Sequence, residues 1–318
     1  MKLKLYPLRA WLFGILLLAA LILGASHYAE IEHFVLLMQH ARPEWLLLAL
    51  VLQGATYLSV ATIWYYALRS GGSYLSIGTL IPIGLAKLFS DQAMPTGGMS
   101  GTAFLLATMN RHGISTHICM ATLLVNLISY HAAYLLMALA SVLLLWLYHA
   151  INAWITGVTI LFSLIAIAIP ITALWLRRMG NRQLPAILYN LPDLEKLIRA
   201  YGNAPVELLR NGPLLSSAIL LQLAVFLLDA TTLWVMLEAL GRNASLLITL
   251  PSFILASIVA TLSPIPMGLG TFEATCTGML SVLGVPLETA LTATLLLRGF
   301  TLWLPMLPGL WFVRRELH

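Results

Sequence analysis

Five charged side chains stand inside otherwise apolar stretches of this sequence: Lys87, Asp91, Asp229, Glu273 and Arg298. A charge at membrane depth costs at least ~2.5 kcal/mol on insertion scales, so such residues are usually paired or functional. Lys87 and Asp91 are four apart, share one helical face and can neutralise each other. Asp229 lies nine residues before Glu238 and Arg298 ten after Glu288. Both therefore sit at about the same depth, ~14 Å in, and are expected to pair. Glu273 has open alternatives: complementing a helix dipole, holding Arg298, or meeting a cationic headgroup or a coupling proton. Arg298 fits either a lipid phosphate, which guanidinium binds bidentately, or a structural ion pair.

Two breaks rich in proline and glycine accompany these charges. Ser263-Pro264-Ile265-Pro266-Met267-Gly268-Leu269-Gly270-Thr271-Phe272-Glu273 interrupts one apolar region, and Met94-Pro95-Thr96-Gly97-Gly98-Met99-Ser100-Gly101-Thr102 is a weaker copy in another. Pro95 and Pro266, and Gly97 and Gly268, are each separated by 171 positions, and the same offset lays Gly113-Ile114-Ser115 on Gly284-Val285-Pro286. Backbone N–H groups freed around Gly97, Gly98, Gly268 and Gly270 could cradle a phosphate. The substrate-binding candidates are thus Glu273, Arg298, Asp229, Gly268, Gly270, Pro266, Pro95, Gly97, Gly98, Lys87 and Asp91.

No metalloprotease, paired-carboxylate or Ser/His/Asp arrangement is readable, so no catalytic residue, no metal site and no enzymatic activity is expected. Cys119 and Cys276 are far apart in apolar sequence and read as buried small hydrophobes. No nucleotide-binding motif occurs, and neither a cofactor nor a nucleotide is expected. Asn126, His131, Gln53 and Gln222 read as interhelical hydrogen-bond partners rather than ligands.

The positioning elements follow from composition. Of 318 residues 60% are hydrophobic and 9% charged, against roughly 25% charged in soluble domains. Several apolar runs reach the ~20 residues needed to cross a bilayer as a helix, whereas the short alternating segments of a membrane β-barrel do not occur. The expected fold is an all-α polytopic membrane protein with about six full spans and two re-entrant helical hairpins, two short full spans being the alternative at each interrupted region. The spans fall near 10–26, 45–68, 118–147, 154–176, 214–238 and 288–312, and the interrupted regions are 73–111 and 246–286. Between them, 183–213 is polar and carries Leu191, Leu194, Leu197 and Ile198 at helical spacing, which reads as an amphipathic surface helix. The chain is one integral membrane domain, 1–318: a first helix and loop over 10–44, repeat 1 over 45–150, a linking helix and cytoplasmic segment over 151–213, and repeat 2 over 214–318.

With a cytoplasmic N-terminus, thirteen of the seventeen basic residues face the cytoplasm: Lys2, Lys4, Arg9, Arg69, Arg111, Arg177, Arg178, Arg182, Lys196, Arg199, Arg210, Arg314 and Arg315. Only Arg42 and Arg242 then fall outside. The positive-inside rule favours this arrangement, with both termini in the cytoplasm. It explains the net charge of +5 without nucleic acid. The two repeats then carry opposite orientations, the inverted-topology arrangement in which transporters place a midplane site at the repeat interface.

The second repeat resembles the lysylphosphatidylglycerol synthase transmembrane region, also called the flippase-like or UPF0104 family. The matching residues are Pro264 to Glu273, Leu283-Gly284-Val285-Pro286 and Leu297-Arg298; in the first repeat they are Met94 to Gly98 and Asn110 to Ser115. Met267 stands where the family pattern has a glycine, and the acidic or basic residue many members carry near Gly101-Thr102 is absent. The resemblance implies a lipid-translocating domain of the bacterial cytoplasmic membrane. Some members are fused to an aminoacyl-transferase domain; no such segment follows His318, so synthase activity is not expected. Other members are associated with export of hopanoid or polyisoprenoid-linked lipids. Membrane lipids are the expected substrate, with lipid-synthesis or envelope-transport proteins as candidate partners. A small-solute secondary transporter and a non-transporting scaffold for lipid synthesis are the alternatives.

Overall fold

The computed structural model describes residues 42–93, 99–147, 149–180, 205–263 and 265–317. The predicted first span over 10–26, the amphipathic run from Leu191 to Ile198, and Pro95, Gly97 and Gly98 lie outside these residues. Every regular element among the described residues is helical, as an apolar solvent that cannot satisfy backbone groups demands.

Helix α1 is Pro43–Ser70, α2 Ile77–Ala93, α3 Met99–Arg111, α4 Thr116–Leu147 and α5 Ala153–Gly180. A short α6, Val206–Arg210, leads into α7, Gly212–Ala239, followed by α8, Leu246–Leu262, and α9, Thr271–Val282. The last span comprises α10, Leu287–Arg298, a π-turn, Gly299–Trp303, and α11, Leu304–Leu317. Five segments are long and apolar enough to cross a membrane: α1, α4, most of α5, α7 and Leu287–Arg315. They coincide with the second to sixth predicted spans. The paired legs α2/α3 and α8/α9 have 17, 13, 17 and 12 residues, at most ~26 Å each, below the ~30 Å hydrocarbon thickness.

Local chemistry sets these boundaries. Pro43 opens α1, with Glu44 in its first turn and Arg69 in its last, so both ends complement the helix dipole. Asn211 caps α7 by accepting from Leu214 N at 3.1 Å, and Ser245 caps α8 through Leu247 N at 3.2 Å. The order of elements then recurs. Gly113 (φ 81°) closes α3 and Gly284 (φ 93°) closes α9. Ile114 N donates to Met109 O, and Val285 N donates to Leu280 O, at 3.1 and 3.0 Å. This is one glycine C-cap built twice, 171 residues apart.

Helices α1 and α7 pack antiparallel along their length. At one end Arg42 N donates to Ala239 O at 3.0 Å, and Trp45 meets Trp234 edge-to-face at 5.6 Å. Helix α2 lies against α11, and α8 lies against α4. Two large apolar clusters result, one centred on α1–α4 and reaching the start of α7, the other centred on α7–α10 and reaching α4 and α5. Helix α5 packs on α4 and α8 and exposes Ile160, Leu161, Leu164, Ile167 and Trp175, a face suited to lipid.

The α2–α11 contact depends on one small residue. A Cβ on Gly309 would stand 2.6 Å from Leu85 O and 2.9 Å from Phe89 Cβ, and neither backbone nor a helix-borne Cβ can step aside. Gly309→Ala is expected to lower the melting temperature of the detergent-solubilised protein by the equivalent of ~1–3 kcal/mol, the usual cost of overpacking. Gly157→Ala, in open space, should leave it unchanged.

Candidate functional site

The second break turns on three left-handed residues, Met267 (φ 62°), Gly268 (φ 62°) and Gly270 (φ 79°). Glycine adopts this conformation freely; for methionine it costs ~1–2 kcal/mol. Arg298 holds Met267 there, its Nη2 donating to the Met267 carbonyl at 2.8 Å. The same guanidinium donates from Nε to Glu273 Oε1 at 2.8 Å and lies over the Phe272 ring, 5.0 Å from its centroid. The other carboxylate oxygen, Glu273 Oε2, accepts from Gly270 N at 2.7 Å. Glu273 therefore caps its own helix with one oxygen and binds Arg298 with the other. Pro266 opens the 3-10 turn that precedes this cap.

The first break is closed by the same chemistry drawn from other positions. Asp91, near the end of α2, pairs with Lys87 Nζ at 2.6 Å and accepts from Gly101 N, in the first turn of α3, at 2.8 Å. Ser100 Oγ donates to Ser90 O at 2.8 Å and ties the two legs together. The charge absent near Gly101-Thr102 in the sequence is thus delivered from the opposite leg. Offset counting could not reveal it, because at 171 residues Glu273 aligns with Thr102 and Asp91 with Leu262. In the fold the reason for Gly101 is plain: a Cβ there would overlap the Asp91 carboxylate.

Lys87 and Asp91 line a cavity of about 310 Å³ together with Gln92, Asn126, Tyr130, Gln222 and Tyr57. Gln222 Nε2 donates to Asn126 Oδ1 at 3.1 Å, the interhelical bond expected of these amides. Their place on the cavity wall, and that of Tyr57 and Tyr130, was not read from the sequence. A second cavity of about 430 Å³, lined by Leu50, Leu85, Phe300, Leu304 and Leu307, is apolar and shares Tyr57 with the first. Glu273 and Arg298 line neither of these two cavities.

The expected Asp229–Arg298 pair does not form. Asp229 Oδ1 instead accepts from Gln53 Nε2 at 3.0 Å and Thr56 Oγ1 at 3.4 Å, both on α1. Counting residues from the helix ends gives height in the membrane but not azimuth. Asp229 faces α1, whereas Arg298 faces the break between α8 and α9. His131 turns to its own helix, Nδ1 against Leu127 O at 2.8 Å, rather than across to another. Cys119 and Cys276 are buried and unbridged, as expected.

Residues 11–309 match the family described as the lysylphosphatidylglycerol synthase TM region. The chain belongs to this family. A UPF0104 membrane protein of Methanothermobacter thermautotrophicus is 23% identical over 309 residues, covering 92% of this chain and 90% of that relative. Within this lysylphosphatidylglycerol synthase TM fold, the left-handed geometry at Met267 explains why a glycine suits that position.

Two measurements test this geometry. Gly268→Ala adds a forbidden φ, ~1–2 kcal/mol, to a contact with Ala260 Cβ at 2.5 Å, ~1–3 kcal/mol. Gly270→Ala meets nothing within 4 Å and bears only the first cost. Thermal unfolding in detergent should therefore rank Gly268→Ala clearly below Gly270→Ala. For the first tip, Gly101→Ala and Asp91→Ala should each destabilise, and the double variant should lose less than the sum of the two. Simple additivity within ~0.5 kcal/mol would sink the Asp91–Gly101 contact.

Proposed function

We propose that this chain is a lipid flippase or exporter, moving a polar-headed or isoprenoid-linked lipid across or out of a cytoplasmic membrane. The observation that carries this reading is the pairing of the two cavities. A chamber whose largely apolar wall carries Lys87, Asp91, Asn126 and Gln222 adjoins an open apolar groove at Tyr57. A lipid needs both, one for its head and one for its chain. Ligand cavities typically span ~300–1,000 Å³, and both fall in that range.

The recurrence of elements supports a further step: the two copies are inverted with respect to each other, and the headgroup path runs along their interface. The antiparallel pairing of α1 and α7 favours it. At each hairpin a carboxylate now occupies a position that suits a phosphate, between a cation and a helix N-terminus. A lipid phosphate entering the polar cavity would displace Asp91 from Lys87 and from Gly101 N. The cytoplasmic location of both termini belongs to the same reading, as does the absence of enzymatic activity.

The test is transbilayer movement of labelled anionic, aminoacylated and isoprenoid-phosphate lipids in proteoliposomes. Wild type is expected to move at least one of these classes. Lys87→Gln should slow it by ~10- to 100-fold, the equivalent of one charge-assisted hydrogen bond, while the protein stays folded. Uptake of a water-soluble solute with no lipid movement would favour a small-solute transporter. Movement of neither, with Lys87→Gln indistinguishable from wild type, would leave a scaffold role.

A further inference from the structure

Asp229 is the one membrane-depth carboxylate among the described residues that no cation pairs. Asp91 has Lys87 and Glu273 has Arg298, whereas Asp229 is held only by the neutral donors Gln53 and Thr56. It sits ten residues inside the end of α7, ~15 Å along the helix. The groups facing it can be named element by element. From α1 comes Tyr57 and from α4 Tyr130, both within electrostatic reach; His131, also on α4, is held against Leu127 O of its own helix. Helix α8 carries no titratable residue. On α10, Glu288 is at the far end of the helix and Arg298 is engaged with Glu273 and Met267. Glu207 and Arg210 of α6 lie beside the opposite end of α7. None of them neutralises Asp229.

An ionised carboxylate in a low-dielectric interior needs a counter-charge or a proton. The neighbourhood suits a proton better than a metal cation. Gln53 presents its amide nitrogen to Asp229 Oδ1 and, at 3.1 Å, to Thr232 Oγ1, so donors converge on the carboxylate where a metal ion would need several oxygens. Asp229 lines neither cavity itself, but the groups around it do. Gln53 lines the apolar cavity, Tyr130 the polar one, and Tyr57 both.

We propose that Asp229 is a proton-binding site that couples the cavities to a transmembrane proton gradient. In this scheme Asp229 accepts a proton on Oδ2 when water in the polar cavity reaches it and releases it after the cavity changes the side it opens to. Protonation removes the charge facing Gln53 and weakens the α1–α7 hydrogen bonds at Gln53 and Thr56, the seam along which the two copies meet. The coupling rests on the translocation reading; the proton site itself does not.

Two experiments separate these. Infrared difference spectra of the purified protein, titrated through the pH range, should show a protonated carboxylic C=O band that vanishes in Asp229→Asn and persists, shifted, in Asp229→Glu. Spectra of wild type and Asp229→Asn that match at every pH overturn the site whether or not any lipid moves. In proteoliposomes, a gradient of one pH unit should drive labelled lipid up to about tenfold toward one leaflet in wild type. Asp229→Asn should equilibrate lipid without responding to the gradient, and Asp229→Glu should restore part of the response. Lipid movement that ignores the proton gradient in wild type, or follows a sodium gradient instead, overturns the coupling and leaves translocation standing.

Discussion

A helix broken inside a membrane exposes backbone N–H groups that neither water nor lipid can satisfy, and both hairpins of this protein are organised around that demand. Each second leg begins with a backbone N–H donated to a carboxylate, Gly101 N to Asp91 and Gly270 N to Glu273. Each carboxylate then requires a cation, met by Lys87 and Arg298. Neutrality is thereby kept locally, within one hairpin or between a hairpin and the span beside it. The left-handed turn at Met267, the close approach of Gly268 to Ala260, and the π-turn directly after Arg298 surround these groups.

Much of this is legible in the chain itself. Long apolar runs gave α1, α4, α5, α7 and the last span nearly to their ends. The Pro-Gly clusters marked both breaks, because those residues act through local conformation. Lys87 and Asp91 paired because i, i+4 spacing is likewise local. Glu273 with Arg298 was one of several alternatives left open, and the guanidinium's reach to Met267 O and Phe272 was beyond sequence reasoning. What could not be read depends on how helices rotate against one another. Asp229 was placed at the right height and matched with the wrong partner, since its azimuth is set by the α1 face that carries Gln53 and Thr56. Gly101 looked like one more break glycine until the docking of α3 on α2 made its missing side chain the space that Asp91 fills.

The cavity residues divide in the same way. The charges on the polar wall stood out in the sequence, but the neutral groups between them did not. Asn126, Tyr130 and Gln222 come from two helices nearly a hundred residues apart, and only the α4–α7 packing brings them to one wall. Polar residues spread thinly along apolar helices carry little periodic signal, so a site assembled from them is visible only once the helices are placed.

The last span ties the two hairpins together mechanically. Above the π-turn, Arg298 grips the tip of the second hairpin through Glu273 and Met267. Below it, Gly309 seats the first leg of the other hairpin against Leu85 and Phe89, which flank Lys87 in the chain. The segment Leu287–Arg315 is thus a single rod gripping both hairpins, jointed at Gly299–Trp303 where the helix is already unwound by one residue. The joint lies between the two grips, so a change in its angle would move one hairpin relative to the other as arms of one lever.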